Sequence, residues 1–330
     1  MLPKISLMIN TLNRAKELEK CLDSIRECDY PKNLIDLVVV DGGSKDNTIE
    51  IAKRFNARIV RHERKGFAAS RNVSLENIKQ EVIVFTDDDC VVSREWLKEL
   101  VKPLNDGFKV VIGSVLPPKT NLFGKCVSAL GYPGGGFKAF YSKPGPTNRI
   151  ITGNLLFKKT VLRDVKKFDE NFVFGSEDAD FGIRVLKKHK VYFNPKALVY
   201  HKVRDNLPSF IKWWLLRGKA DVDFHKKNMK SYPWSLFSVK SNVLVQLIIL
   251  FVLLVMGLMF FLPLSAGIIL LSIILSIRFI ILEQKKLSLV KKGLKLPSYC
   301  WWIVIPFLDW FKDIVRTKGR LLRLIGFNKL

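Results

Sequence analysis

The 330-residue chain predicts an α/β fold: a mostly parallel twisted sheet with helices on both faces, followed by a transmembrane helical hairpin and an interfacial helix. Three observations carry this expectation. Short β-branched runs, such as Leu-Val-Val-Val at 37–40 and Val-Ile-Val-Phe at 82–85, read as strands buried on both faces. Segments with apolar residues at helical spacing alternate with them, as at Leu18, Leu22 and Ile25. Residues 241–277 contain no charged side chain, which sets the C-terminal part apart.

The first strand, 5–9, ends in the polar turn Asn10-Thr11-Leu12-Asn13-Arg14. The second ends in Asp41-Gly42-Gly43-Ser44, where the glycines allow a tight turn or close approach to a ligand. A short third strand at 57–60 leads to Gly66-Phe67-Ala68-Ala69-Ser70-Arg71-Asn72 and a helix. The fourth strand runs into Thr86-Asp87-Asp88-Asp89, and Leu97, Leu100, Val101 and Leu104 give the helix after it an apolar face. Charged residues at such strand ends lie where open α/β sheets bind ligands. Adjacent carboxylates repel unless something positive sits between them. Mg²⁺ or Mn²⁺ suits oxygen ligands and usually carries substrate phosphates as well. Taken alone, the triplet reads more simply as a solvated acidic loop, Asp41 equally as a helix cap, and Arg71 as a surface arginine.

In this order, each after a strand, these motifs resemble family-two glycosyltransferases of the GT-A fold, over residues 3–225. Asn-Thr-Leu-Asn is a loose match to the family's Pro-Thr-Tyr-Asn turn, whereas Val-Val-Asp-Gly-Gly-Ser-Lys-Asp-Asn-Thr matches its nucleotide-binding turn closely. The resemblance implies that Asp41 bonds the base, with Thr11 and Asn13 lining the same pocket. It implies Arg71 as a nucleotide contact, although Ser70 stands where the family has alanine. Thr-Asp-Asp-Asp corresponds to the Asp-x-Asp signature: Asp87 and Asp88 would lie at the nucleotide sugar, and Asp89 would be the direct ligand of Mn²⁺ or Mg²⁺.

Beyond Gly113 the chain is rich in turn formers (Pro117-Pro118, Pro133-Gly134-Gly135-Gly136, Pro144-Gly145-Pro146), and an acceptor-side flap is expected there. The strand at 151–157 carries Gly153-Asn154, similar to the family's Gly-x-Asn beside the donor sugar and the acceptor. Glu177-Asp178 then opens a helix, where carboxylates also serve as N-terminal charge caps. By resemblance Asp178 is the general base that an acceptor hydroxyl requires, Glu177 lies near the sugars, and displacement inverts the anomeric centre. Tyr200-His201 ends the domain, and His201 would help hold the diphosphate or metal; a lone histidine there is as often structural. Trp213-Trp214-Leu215-Leu216-Arg217-Gly218 lacks the Gln-x-x-Arg-Trp of processive synthases, which argues against a long-chain polymerase.

Lys and Arg number 55 against 30 Asp and Glu. Residues 211–330 hold 19 basic and 5 acidic residues, a surplus of 14 of the chain's 25. Such charge around an apolar stretch points to anionic membrane lipids. No nucleic-acid motif or repeated basic–aromatic module is present, which argues against nucleic acid as a partner. Cys21, Cys28, Cys90, Cys126 and Cys300 show no CxxC spacing and read as reduced thiols.

Residues 1–225 are thus expected to form the transferase domain and 226–330 a membrane-anchoring region. Transmembrane helices are expected at 243–262 and 264–282, with Arg278 near the end of the second and lysines on both flanks. An interfacial helix is expected at 298–311, followed by a basic tail; a re-entrant third segment is the alternative. With no signal peptide at Met1-Leu2-Pro3-Lys4, the catalytic domain is expected on the cytoplasmic face of a cell membrane.

The expected activity is transfer from a nucleoside-diphosphate sugar, UDP favoured over GDP, to a hydroxyl of a lipid-linked saccharide or glycan. Two alternatives stand: a polyprenyl-phosphate sugar synthase, whose ionised acceptor needs no base, and a non-catalytic sugar-nucleotide-binding scaffold.

Overall fold

The computed structural model describes residues 1–131, 143–228, 296–297 and 299–326. The chain divides into two compact units, one of Met1–Thr120 with Gly131–Val203, the other of Asn121–Leu130 with Arg204–Leu330.

The first unit is built on one sheet. Its strands are β1 (Ile5–Thr11), β2 (Ile35–Asp41), β3 (Arg58–Arg61), β4 (Val82–Asp87), β5 (Cys90–Val92), β6 (Val110–Leu116), β7 (Gly145–Thr147), β8 (Asn154–Lys158) and β9 (Val191–His201). The spatial order is β3-β2-β1-β4-β8-β6-β9-β5, with β7 beside β9. From β3 to β4 every pairing is parallel, while β8 lies antiparallel between β4 and β6. The sheet is therefore parallel in its first half and mixed in its second.

Alternation along the strands splits the core in two, because successive side chains face opposite sides. Leu7, Ile9 and Val39 meet α1 (Ala15–Arg26), α2 (Thr48–Arg54) and α4 (Trp96–Val101) on one face. Met8, Val38 and Phe85 meet α3 (Phe67–Glu76), α6 (Val161–Val165) and α7 (Glu177–Leu186) on the other. Strand β9 runs unbroken from Val191 to His201. Its register against β6 shifts between Gly113 and Ser114, so Gly113 faces Asn194 while Ser114 faces Leu198. Pro195 lies in the skipped stretch, where the missing N–H costs no ladder bond.

In the second unit, α5 (Leu122–Ala129) forms inside the expected loop, its N-terminus capped by the Asn121 side chain, which accepts from Gly124 N at 2.8 Å. Residues 132–142, where much of the flap is expected, lie outside the described residues. Helix α8 (Leu207–Asn228) pairs with α9 (Ile305–Leu324). A Cβ on Gly218 would sit 2.0 Å from Arg316 O, and one on Gly319 2.2 Å from Leu215 O, so these glycines permit the close crossing.

The C-terminal part of the chain departs from the expected transmembrane hairpin. Among the described residues no helix is long and apolar enough to cross a membrane. The segments 243–262 and 264–282 lie outside the described residues. The helices that are described carry charge along their length, which a hydrocarbon core disfavours. The expected interfacial stretch at 298–311 does not stop there: a wide turn at Cys300–Val304 continues directly into α9 and on to Leu324. The basic tail is also differently used. Arg316 donates twice to Asp221 at 2.6 Å, Arg320 bonds the same carboxylate, and Arg323 pairs with Asp223 at 2.8 Å. These cations hold α9 to α8. The boundary expected at residue 225 falls within α8.

Candidate active site

Parallel register brings the sequence-predicted residues to one edge of the sheet. Thr11 stands opposite Asp41, and Asn10 opposite Asp87, at the carboxyl ends of their strands.

Asp41 is fully buried and accepts from Gly43 N and Ser44 N, each at 3.1 Å, with Arg61 Nε 3.5 Å away. The turn needs Gly43 because its φ is +93°. Asn13, itself at φ +52°, laces the β1 loop to this turn: its N–H donates to Ser44 Oγ and its Oδ1 accepts from Lys45 N, both at 2.8 Å. The two loops form one rigid rim. A carboxylate accepts more bonds than two backbone donors supply, so Asp41 retains capacity for a ligand.

At the end of β4 the carboxylates divide their partners. Asp87 Oδ1 lies 3.7 Å from Arg71, and its Oδ2 lies 3.5 Å from His201 Nε2. Asp89 Oδ1 lies 3.4 Å from the same Nε2, and its Oδ2 accepts from Arg14 at 3.0 Å. Asp88 is buried, faces the Thr11 hydroxyl and lies 3.8 Å from Arg14. Burial, reinforced by Asp89 and Asp87 against the pull of Arg14, pushes Asp88 up to about 7. Burial would likewise raise Asp87, but His201 and Arg71 hold it below the usual carboxylate range.

His201 reaches this cluster because β5 pairs antiparallel with β9, setting Cys90 opposite His201. Its Nδ1 bonds Lys202 O at 2.9 Å, which leaves Nε2 turned toward the acids. Burial alone would lower the imidazole, yet Asp89 and Asp87 push it up to about 9. One ligand atom from each of Asp87, Asp89, Cys90 and His201 lies within 4.8 Å of the others. Two carboxylates and an imidazole suit Mn²⁺ or Mg²⁺, and the mutual repulsion of the acids gives the cation a place to act. The Cys90 thiol instead turns toward Gly153 O, 3.9 Å away.

Gly153 and Asn154 serve different ends. A Cβ on Gly153 would stand 2.6 Å from Asp87 Oδ2, so the glycine makes room for that carboxylate. Asn154 is fully buried: its Oδ1 accepts from Trp96 Nε1 at 2.8 Å, and its Nδ2 donates to Ser114 O and Ala197 O, each at 2.9 Å. It braces the register shift of β6 and β9 from within.

Arg71 is buried between Glu177, with which it forms an ion pair, and Asp87, and it lies over the Phe168 ring. Among the described residues Glu177 Oε2 has no hydrogen-bond partner. Asp178, next on the first turn of α7, is half-buried, and its Oδ1 accepts from Ala179 N at 2.8 Å. Among the described residues its other oxygen makes no hydrogen bond, which leaves it available to a substrate proton. Sequence reasoning missed Arg14. The signal was present, since a cation directly after the β1 loop faces the acids whose crowding calls for one.

Residues 6–166, just under half of the chain, match the family model for glycosyl transferase family 2. The glycosyltransferase AglE of Haloferax volcanii is 28% identical over 193 residues, 53% of this chain and 59% of that protein. The match thus spans well under two thirds of AglE. The dolichyl N-acetyl-alpha-D-glucosaminyl phosphate 3-beta-D-2,3-diacetamido-2,3-dideoxy-beta-D-glucuronosyltransferase of Methanococcus voltae is 22% identical over 247 residues, 70% of this chain and 76% of that protein. Among solved structures, the mannosyltransferase PcManGT of Pyrobaculum calidifontis, in complex with GDP-Man and Mn²⁺, aligns with a TM-score of 0.62 at 17% identity. That alignment covers 96% of this chain and 87% of that one, and it shows a shared fold.

Proposed function

We propose that the chain is an inverting glycosyltransferase that moves a sugar from a nucleoside diphosphate to a hydroxyl of a lipid-linked saccharide or glycan. The observation that carries this reading is the convergence of Asp87, Asp89 and His201 at the sheet edge that also holds Asp41. A divalent cation held by Asp87, Asp89 and His201 would neutralise the diphosphate as it departs.

Around that centre the chain's own groups have distinct tasks. The Asp41 turn and Thr11 bind the nucleoside, and Arg71 sets positive charge beside Asp87. Asp178 takes the acceptor's proton as the new bond forms. A base of this kind suits a hydroxyl and is superfluous for a phosphate acceptor, which places a polyprenyl-phosphate synthase second. The relative from Methanococcus voltae, named for transfer to a dolichyl-linked sugar, supports a lipid-linked acceptor. Such an acceptor implies work at a membrane surface. A UDP-sugar remains the favoured donor on the motif resemblance, although the Pyrobaculum structure holds GDP-Man.

A panel of UDP- and GDP-sugars with Mn²⁺ or Mg²⁺, scored for slow hydrolysis, tests the donor without knowledge of the acceptor. Turnover of one sugar nucleotide, abolished by Asp89→Ala, is expected. Binding of one sugar nucleotide with hydrolysis of none would instead favour the non-catalytic sugar-nucleotide-binding scaffold.

A further inference from the structure

The Asp89 carboxylate is shared between two cations on opposite oxygens: Oδ1 faces His201 Nε2 at 3.4 Å, whereas Oδ2 accepts from Arg14 at 3.0 Å. Its side chain is only 5% exposed, so water contributes little to its orientation. The last torsion of an aspartate is broad and roughly two-fold, and fixing one oxygen therefore fixes the other. Arg14 is well placed to do this. Its backbone N–H donates to Thr48 Oγ1 at 3.1 Å, the preceding Asn13 is laced to Ser44 and Lys45, and the next N–H, of Ala15, donates to Asp46. The guanidinium thus extends from the same rim that encloses Asp41.

We propose that Arg14 is a positioning residue for the metal centre: it occupies Asp89 Oδ2 and so presents Oδ1, beside Asp87 and His201, as a single-oxygen ligand. The inference rests on the reading of those three residues as the metal-holding set. Arg14 lies on the oxygen turned away from His201, so it leaves the space between Asp87 Oδ2, Asp89 Oδ1 and His201 Nε2 to a cation. It also couples the metal-bearing turn to the nucleoside rim, because one loop carries both contacts. Partners that orient metal ligands from behind are commonly worth a substantial part of the affinity.

The test uses the full chain, no donor, and Mn²⁺ as probe, with binding followed by electron paramagnetic resonance and calorimetry. Arg14→Met keeps the apolar stem and removes the fork; it is expected to weaken Mn²⁺ binding by about 10-fold. Arg14→Lys should recover part of that loss and serves if the methionine variant fails to fold. Melting curves in chelator separate the alternatives. A residue that only stabilises the fold lowers the melting temperature and leaves affinity per folded molecule unchanged. Mn²⁺ bound equally or more tightly by both variants would overturn the proposal. If the unaltered protein takes up no Mn²⁺, the metal reading itself fails, and this inference fails with it.

Discussion

Gly153 stands where any side chain would run into Asp87, since a Cβ there would lie 2.6 Å from Asp87 Oδ2 and 3.9 Å from the His201 ring. The sheet sets this relationship: Asn154, next in the chain, pairs with Thr86, the residue before Asp87. Gly153→Ala should therefore swing the Asp87 carboxylate aside and weaken Mn²⁺ binding by about 10-fold while the fold is kept. Metal titration with a parallel melting curve checks this. Unchanged affinity would mean that Asp87 is not a ligand.

Asn154 leads to the opposite kind of prediction. Its amide satisfies Trp96 Nε1 and two buried carbonyls, so Asn154→Leu strands all of them. At ~1–3 kcal/mol for a stranded buried group, an apparent stability loss of about 3 kcal/mol is expected in denaturant titration. A direct sugar contact would behave otherwise, with KM raised and stability intact.

Asp178 and Glu177 are adjacent yet should separate cleanly. Asp178→Asn is expected to cut transfer by about 10²–10⁴-fold with donor affinity retained, since it removes a proton acceptor from a half-buried position. Glu177→Gln breaks an ion pair whose side chains are 5% and 10% exposed, and should destabilise the fold by about 3 kcal/mol. Transfer assays beside unfolding curves distinguish the two, and equal activity losses without any stability change in Glu177→Gln would reverse the assignment.

In the second unit, Gly218→Ala or Gly319→Ala drives a methyl into the backbone of the facing helix. Limited proteolysis should then cut α8 and α9 early, whereas the sheet of the first unit survives. Resistance equal to the unaltered chain would show that the crossing can open at little cost.

Much of the catalytic edge was legible in the sequence because parallel strands end in register: a polar residue after each apolar run lands beside its neighbours. Asp41, Asp87 and Asp89 stood out that way as strand-end acids, whereas Thr11 and the individual roles came from the family resemblance. What lay beyond reach depended on pairings between distant strands. His201 was named only through the family resemblance, because it joins the acids through the three-residue match of β5 with β9. No local pattern announces the antiparallel insertion of β8 or the β6–β9 register shift that Asn154 braces. The arginines of α9 looked like lipid-facing charge because their partners, Asp221 and Asp223, lie some hundred positions earlier. Charge runs disclose sign but not partner.

The account turns on a cation held between Asp87, Asp89 and His201 as the anchor of the donor diphosphate. Calorimetric titration of the intact protein with UDP- and GDP-sugars, in Mn²⁺ and again in chelator, tests it most directly. The account predicts that the accepted donor binds in Mn²⁺, and that chelator or Asp89→Ala abolishes most of that affinity. Donor binding of equal strength in all of these conditions would contradict it.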